Sequence, residues 1–417
     1  MSNRKTVAFN TVSQIAGKII TSGTTFVISI LIAKTLGASG YGDFTKVTTL
    51  VAFFYLFADF GLNTAYLEIS DNPKSAGTLL TVRCIFGLLL MFFLLSILNF
   101  LPGTSTDGYS PTVKFGIIIF SVSILLQSLI TTTNAFFQKQ LRYDFAAYAL
   151  TLGSIGSLLM VALFAYIQTK GVTPYIAALL FGSFITTLTA LFFTKKILPN
   201  FSLTIDKTLV KNLITIAFPL GLTLLCNVVY FHADSIILTV TRSTNDVGVY
   251  GFAYKLFEFF LVIPTFFMNA VFPLLLLSKK QNDMKGFMRQ MKQSLAILLS
   301  VSILLLIIGY IGSPYITFIN KDFQLSILPL RILFLSLPVF FITSLTMWVL
   351  IALKKRSQLF FIYFVSMIVN IGSNILFIPT YGYVASAWIT VISETIVLLL
   401  SVISIQIALN REVPTKI

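Results

Sequence analysis

Apolar runs of twenty or more residues, broken by short polar stretches, occupy almost the whole chain. Each is long enough to cross a hydrocarbon core of about 30 Å as a helix. The pattern predicts twelve spans, at 7–35, 44–70, 77–101, 113–137, 145–168, 173–194, 211–239, 248–277, 293–313, 325–353, 358–378 and 383–409. Hydrophobicity is continuous along each run, without the two-residue alternation of outer-membrane strands, which argues against a β-barrel. The expected fold class is therefore all-α, a polytopic membrane protein.

A repeat organises these spans. Thr6-Val7-Ala8-Phe9-Asn10 returns 209 residues later as Thr215-Ile216-Ala217-Phe218-Pro219. At the same offset Tyr41-Gly42 matches Tyr250-Gly251, Lys46 matches Lys255 and Phe57 matches Phe266. The expected plan is two pseudo-symmetric six-helix lobes, residues 1–196 and 211–417, joined by a cytoplasmic linker at 197–210. Six spans is an even number, so both lobes enter the membrane with the same orientation, and two such halves around an aqueous path are a transporter design.

Composition and charge sharpen the picture. The chain is 57% hydrophobic and 10% charged, against about 25% charged for a soluble domain. With the N-terminus inside, nineteen cations fall at cytoplasmic ends and seven at the opposite ends, a positive-inside bias that places both termini in the cytoplasm. The net charge of +15 thus reflects topology and gives no reason to expect nucleic acid as a partner. The first span follows Arg4 and Lys5, is too long for a signal-peptide core and is expected to be retained. Cys84 and Cys226 both lie inside spans and suggest neither a disulfide nor a metal site. The basic segment 279–292 reads equally as a surface-lying amphipathic helix and as a plain loop.

Polar residues inside the spans are the candidate chemistry. Thr11, Gln14, Lys18, Ser22, Thr25 and Ser29 follow at helical spacing on one face of the first span. Thr223, Asn227, Tyr230 and Asp234 form the matching stripe of the seventh, with Gln14 opposite Thr223, Lys18 opposite Asn227 and Thr25 opposite Asp234 under the offset. Interhelical hydrogen bonding is the plainer account of the hydroxyls. Lys18 lies about 18 Å into its span, where a charge costs at least about 2.5 kcal/mol unless it meets water or a partner. Lys46 and Lys255 are repeat-equivalent, and Arg83 lies two turns into the third span; snorkelling is the alternative for each, and Lys255 has Glu258 one turn away. Asp234 and Glu394 are the candidates for ion coupling; His232, the single histidine, reads more simply as a packed residue than as a switch. Asp43 and Asp59 read as braces of helix ends.

No phosphate-cradling glycine loop, metal-spaced His/Cys cluster or nucleophile–base pair occurs in the sequence. No cofactor, metal or enzymatic activity is expected.

Several stretches carry a family resemblance: Asn10 with Gly17; Ala33-Lys34-Thr35-Leu36-Gly37 leading to Tyr41-Gly42-Asp43-Phe44; Asp59-Phe60-Gly61-Leu62; Ala217-Phe218-Pro219-Leu220; Asp234; and Val247-Gly248-Val249-Tyr250 running into Ala253-Tyr254-Lys255-Leu256. In their order and spacing the chain resembles a Wzx-type polysaccharide flippase of the multidrug/oligosaccharidyl-lipid/polysaccharide (MOP) exporter superfamily. The resemblance implies two lobes that alternate between inward- and outward-open forms in a bacterial inner membrane. Its cargo would be an undecaprenyl-diphosphate-linked glycan for O-antigen, capsule or exopolysaccharide, with a polymerase and other assembly proteins as further partners. Lys18, Lys46, Arg83 and Lys255 would then offset the diphosphate, and Gln14, Thr25 and Asn227 would hydrogen-bond the sugar. A cation-coupled small-molecule exporter, a lipid II flippase and a membrane glycosyltransferase are the competing readings. Spans and fold class follow from the residues; cargo rests on the resemblance.

Overall fold

Two helices of 57 residues each open and close the chain, α1 (Asn3–Asp59) and α13 (Arg356–Glu412). A straight helix of that length would measure about 85 Å, far more than a bilayer core, so each must turn back. Each does so at one glycine: Gly37 at φ 65°, ψ −172° and Gly382 at φ 62°, ψ −147°. That region of backbone space is open essentially to glycine alone. The two turns divide α1 and α13 at the positions where the apolar pattern separates spans one from two and eleven from twelve.

The computed structural model describes residues 3–69, 74–198 and 203–412, without the side chains of 3–12, Leu56, Thr223, Asn227, Arg411 and Glu412. Between the long helices lie α2 (Leu62–Glu68), α3 (Ser75–Ile97), α4 (Pro111–Lys139), α5 (Tyr143–Tyr166), α6 (Thr173–Ile197) and α7 (Lys207–Thr241). They are followed by α8 (Thr244–Phe260), α9 (Val262–Lys280), α10 (Met284–Gly312), α11 (Ile327–Leu335) and α12 (Leu337–Ala352). Among the described residues, nine helices are long and apolar enough to cross a membrane, and ten if the pair bent by 40° around Ser336 counts as one. Turning α1 and α13 at their glycines brings the number to the expected twelve. The chain is an all-α, multi-pass membrane protein.

The chain forms two compact units, Met1–Gly248 and Val249–Ile417. In the first, α5 packs on α6 and on α1, and α4 packs on α1, α3 and α6. Small residues permit the close α5–α6 contact, with Gly153 and Ser157 facing Gly182 and Thr186. α7, which the repeat assigns to the second half, packs on α1, α2 and α3. Leu213 and Ala217 of α7 join Leu62, Ala65, Tyr66, Ala76, Leu79, Ala135 and Phe136 in one buried cluster. In the second unit α12 packs on α9, α10 and α13, and α11 packs on α13.

Polar side chains start several helices at the loops. Ser110 caps α4, Asp206 caps α7 by accepting from the Thr208 and Leu209 amides at 2.9 and 3.2 Å, and Asp283 caps α10 by accepting from Gly286 at 2.8 Å. The last of these corrects the reading of 279–292. Residues 284–292 are the first turns of α10, neither a loop nor a separate surface helix, because Asp283 starts the helix there. The eighth span begins at Thr244 and breaks at Leu261 between α8 and α9.

Gly37→Ala and Gly382→Ala each force a side chain into that backbone region, at a cost of about 1–3 kcal/mol. Each is expected to lower the midpoint of thermal unfolding of the detergent-solubilised protein; an unaltered midpoint for both would show that the turns tolerate a Cβ.

Candidate functional site

Where α1 leaves its Gly37 turn it meets the start of α8. A Cβ built on Gly42 would overlap the Thr244 carbonyl, and one on Gly248 would overlap the Ala38 carbonyl, so the two backbones are in direct contact. One helical turn on, the Lys46 ammonium, only 1% exposed, donates to Thr244 Oγ1 at 2.5 Å. The same hydroxyl donates to the Thr106 carbonyl at 2.5 Å, and the Thr244 amide donates to Asp107 Oδ1 at 2.7 Å. Asp107 thus caps α8 from a distant loop, with its negative charge at the positive end of the helix.

That loop is held in shape. Tyr109 N donates to the Pro102 carbonyl at 3.0 Å, Thr104 N to the Asp107 carbonyl at 2.9 Å, and Asp107 N to Thr104 Oγ1 at 2.9 Å. Lys46 also faces the charges of Asp43, one turn before it, and Asp107. Asp43 Oδ1 is buried without a hydrogen-bond partner. A cleft of about 540 Å³ opens beside this latch, between the 102–108 loop and residues 240–246, with Arg242 and Asp246 paired at 3.7 Å in its wall.

At the other end of the first unit, Arg83 Nη2 donates to Asp59 Oδ1 at 2.6 Å and Nη1 reaches Thr132 Oγ1 at 3.4 Å. The Arg83 side chain is fully buried and that of Asp59 is 30% exposed. Arg83 Nε is buried with no hydrogen-bond partner. Directly after Asp59, the Phe60 ring covers Gly221 of α7 and lies 6.1 Å from the Phe218 ring. α1 and α7 therefore touch near Asp59, just as α1 and α8 touch near Lys46.

The remaining sequence candidates fall in three places. Gln14, Lys18 and Thr25 are exposed on one face of α1, with the Thr25 hydroxyl turned back to the Thr21 carbonyl at 2.8 Å. Asp234 is buried in α7 and accepts from the Ser235 amide at 2.7 Å; the Asn227 side chain lies outside the described residues. In the second unit Lys255 donates to Glu258 at 2.9 Å, both half in the open. Glu394 is buried on the second arm of α13, within electrostatic reach of Tyr363 on the first. Beside it Asn370 Nδ2 donates to Ser393 Oγ at 3.1 Å, Asn374 Nδ2 donates to Asn370 Oδ1 at 2.9 Å, and Thr390 pairs with Tyr250 at 3.4 Å.

The sequence model of a family described as polysaccharide biosynthesis protein matches residues 7–279. The chain belongs to that family. The MatE model also matches, over residues 219–376. No curated protein matches the chain. Among solved structures, the lipid II flippase MurJ in an inward closed conformation is 18% identical with a TM-score of 0.78, over 95% of this chain and 87% of that one. An inward-facing multidrug resistance MATE transporter of the MOP superfamily is 12% identical with a TM-score of 0.74, over 96% and 99%. A MOP superfamily transporter from Pyrococcus furiosus is 10% identical with a TM-score of 0.65, over 98% and 95%. At these identities the likeness is one of fold. This polysaccharide biosynthesis family member thus shares the fold of these transporters.

Sequence reasoning missed the partners that give this family member its latch. Thr244 and Asp107 are 198 and 61 positions from Lys46, and no periodicity relates them. A usable signal was the pair of glycines at the starts of spans two and eight, since small residues at both helix starts permit a crossing. The Asn370–Ser393 seam was also missed; Asn370 and Asn374, one turn apart within an apolar span, were its mark.

Two outcomes test these arrangements. With Cys84 and Cys226 replaced by Ser, a reporter Ala38→Cys should react slowly with a membrane-impermeant thiol reagent, because Ala38 is fully buried. Adding Lys46→Met or Thr244→Val should speed labelling about tenfold, the worth of one charge-assisted hydrogen bond; unchanged labelling would mean that these residues do not hold the latch. For the ion pair, Arg83→Met leaves Asp59 without its cation and should cost about 3 kcal/mol in unfolding measurements. Combining it with Asp59→Leu should restore most of that loss, and a loss that merely adds would place the role of each residue elsewhere.

Proposed function

We propose that this protein is a flippase that moves an undecaprenyl-diphosphate-linked oligosaccharide from the inner to the outer leaflet of a bacterial plasma membrane, by alternating access, for surface polysaccharide assembly. The observation that carries this reading is the polysaccharide biosynthesis family match over residues 7–279, which includes an α1 face that exposes Lys18 between Gln14 and Thr25. A diphosphate needs cations in a poorly polar surrounding, and a glycan needs hydrogen-bonding groups near them. Lys18 and Gln14 supply both on one helix face, and Asn227 and Thr25 extend the polar set. Lys46, Arg83 and Lys255 have local partners in this conformation. Their charges become available to cargo if opening parts them from Thr244, Asp59 and Glu258. Both termini lie in the cytoplasm in this scheme, and a polymerase acts on the product at the far leaflet.

A second reading is a cation-coupled small-molecule exporter. It is favoured by the MatE match over residues 219–376, a stretch that contains the buried Asp234. In either reading Asp234 and Glu394 are the proposed coupling sites, since a buried carboxylate in a membrane helix is costly to keep without a function. A lipid II flippase shares the fold and differs in cargo.

Complementation separates these readings. Lys18→Gln should abolish polymer production in a flippase-deficient strain at unchanged membrane levels, and Lys18→Arg should retain it. Full production with Lys18→Gln would remove the cationic face from the mechanism. Asp234→Asn should make transport insensitive to collapse of the proton gradient; continued sensitivity would assign coupling to another residue.

A further inference from the structure

The first turns of α10 carry a pattern that neither transport reading uses. Lys285, Arg289 and Lys292 are exposed at steps of four and three, and the same face continues through Ala296, Leu299 and Ile303, all exposed. The opposite face of the helix, with Phe287, Ser294, Leu298 and Ser302, is buried against its neighbours. The three cations line a groove of about 540 Å³ together with Met284, Met288 and Gln293. The one acid in the sequence from 279 to 303, Asp283, is turned to the helix start as the cap of α10.

We propose that this groove binds the headgroup of an anionic phospholipid of the inner leaflet, whose acyl chains lie along the apolar continuation of the same face. The cations span about 10 Å of helix at 1.5 Å per residue, a small part of the roughly 30 Å of a hydrocarbon core. Below them the face turns apolar without a break, as an amphiphile requires and a free phosphate does not. The two methionines are flexible and polarizable, suited to the irregular glycerol and upper-chain region. Lys and Arg near an anionic leaflet each add to binding, and three on one groove concentrate that attraction at one place. The site is independent of the cargo and of the Lys46 latch.

The test is lipid retention by the full chain, purified in a neutral detergent with equal phosphatidylglycerol and phosphatidylcholine and read by native mass spectrometry. The wild type should retain phosphatidylglycerol in clear preference, and K285Q/R289Q/K292Q should reduce that preference about tenfold. K285R/R289K/K292R should keep it, which separates charge from a loss of folding. K354Q/K355Q/R356Q removes three cations from a different connection and should change little. An equal loss there would reduce the effect to net charge and overturn the proposal. Retention of phosphatidylcholine as strong as that of phosphatidylglycerol would overturn it too. So would complete displacement by millimolar inorganic phosphate, which marks a free-phosphate site, or by micromolar polyprenyl diphosphate, which marks a cargo site.

Discussion

A hydrocarbon surrounding gives backbone amides and carbonyls nothing to bond, so every crossing segment has to satisfy its own. That constraint makes the chain helical wherever it is apolar, and it makes each interruption of a helix costly. The interruptions are therefore few and particular. Gly37 and Gly382 reverse the two longest helices, and Asp, Asn or Ser side chains supply hydrogen bonds at several of the other starts. The same constraint governs charge. Among the described residues, the buried cations Lys46 and Arg83 each meet a hydroxyl, and each faces a carboxylate.

Much of this architecture was readable in the residues because one physical variable, hydrophobicity along the chain, dictates it. Span positions, the all-α class and the placing of Gln14, Lys18 and Thr25 on one helical face follow from spacing alone; that Ser29 of the same stripe is buried does not. So does the Lys255–Glu258 pair, which needs nothing beyond its own helical turn. The 279–292 segment was ambiguous because basic residues suit a loop and a helix end equally; Asp283 decides it by accepting from the Gly286 amide, a contact that depends on local geometry rather than on composition.

The site was legible only in part, and for a different reason. Lys46 stands out as a charge in an apolar run, but its meaning depends on Thr244, Thr106 and Asp107, which tertiary contact alone assembles. Arg83 and Asp59 sit on adjacent spans, near enough in sequence for a pairing to be suspected but not required. The Asn370–Ser393 seam joins the arms of α13 on either side of Gly382, so it exists only because that glycine folds the helix back on itself. Polar residues on facing helices are recognisable as polar from sequence; their partners are set by packing.

The cap on α8 has a consequence for how the chain is made. Asp107, which holds the first amide of α8, emerges from the ribosome 137 residues before Thr244 does. The 101–110 loop can already be shaped by its own hydrogen bonds when the eighth span arrives, so it can serve as a prepared seat for that helix. Biosynthetic order and structural dependence thus run in the same direction, from the early loop to the late helix. A chain assembled in the opposite order would bring α8 into the bilayer with its first turn unsealed.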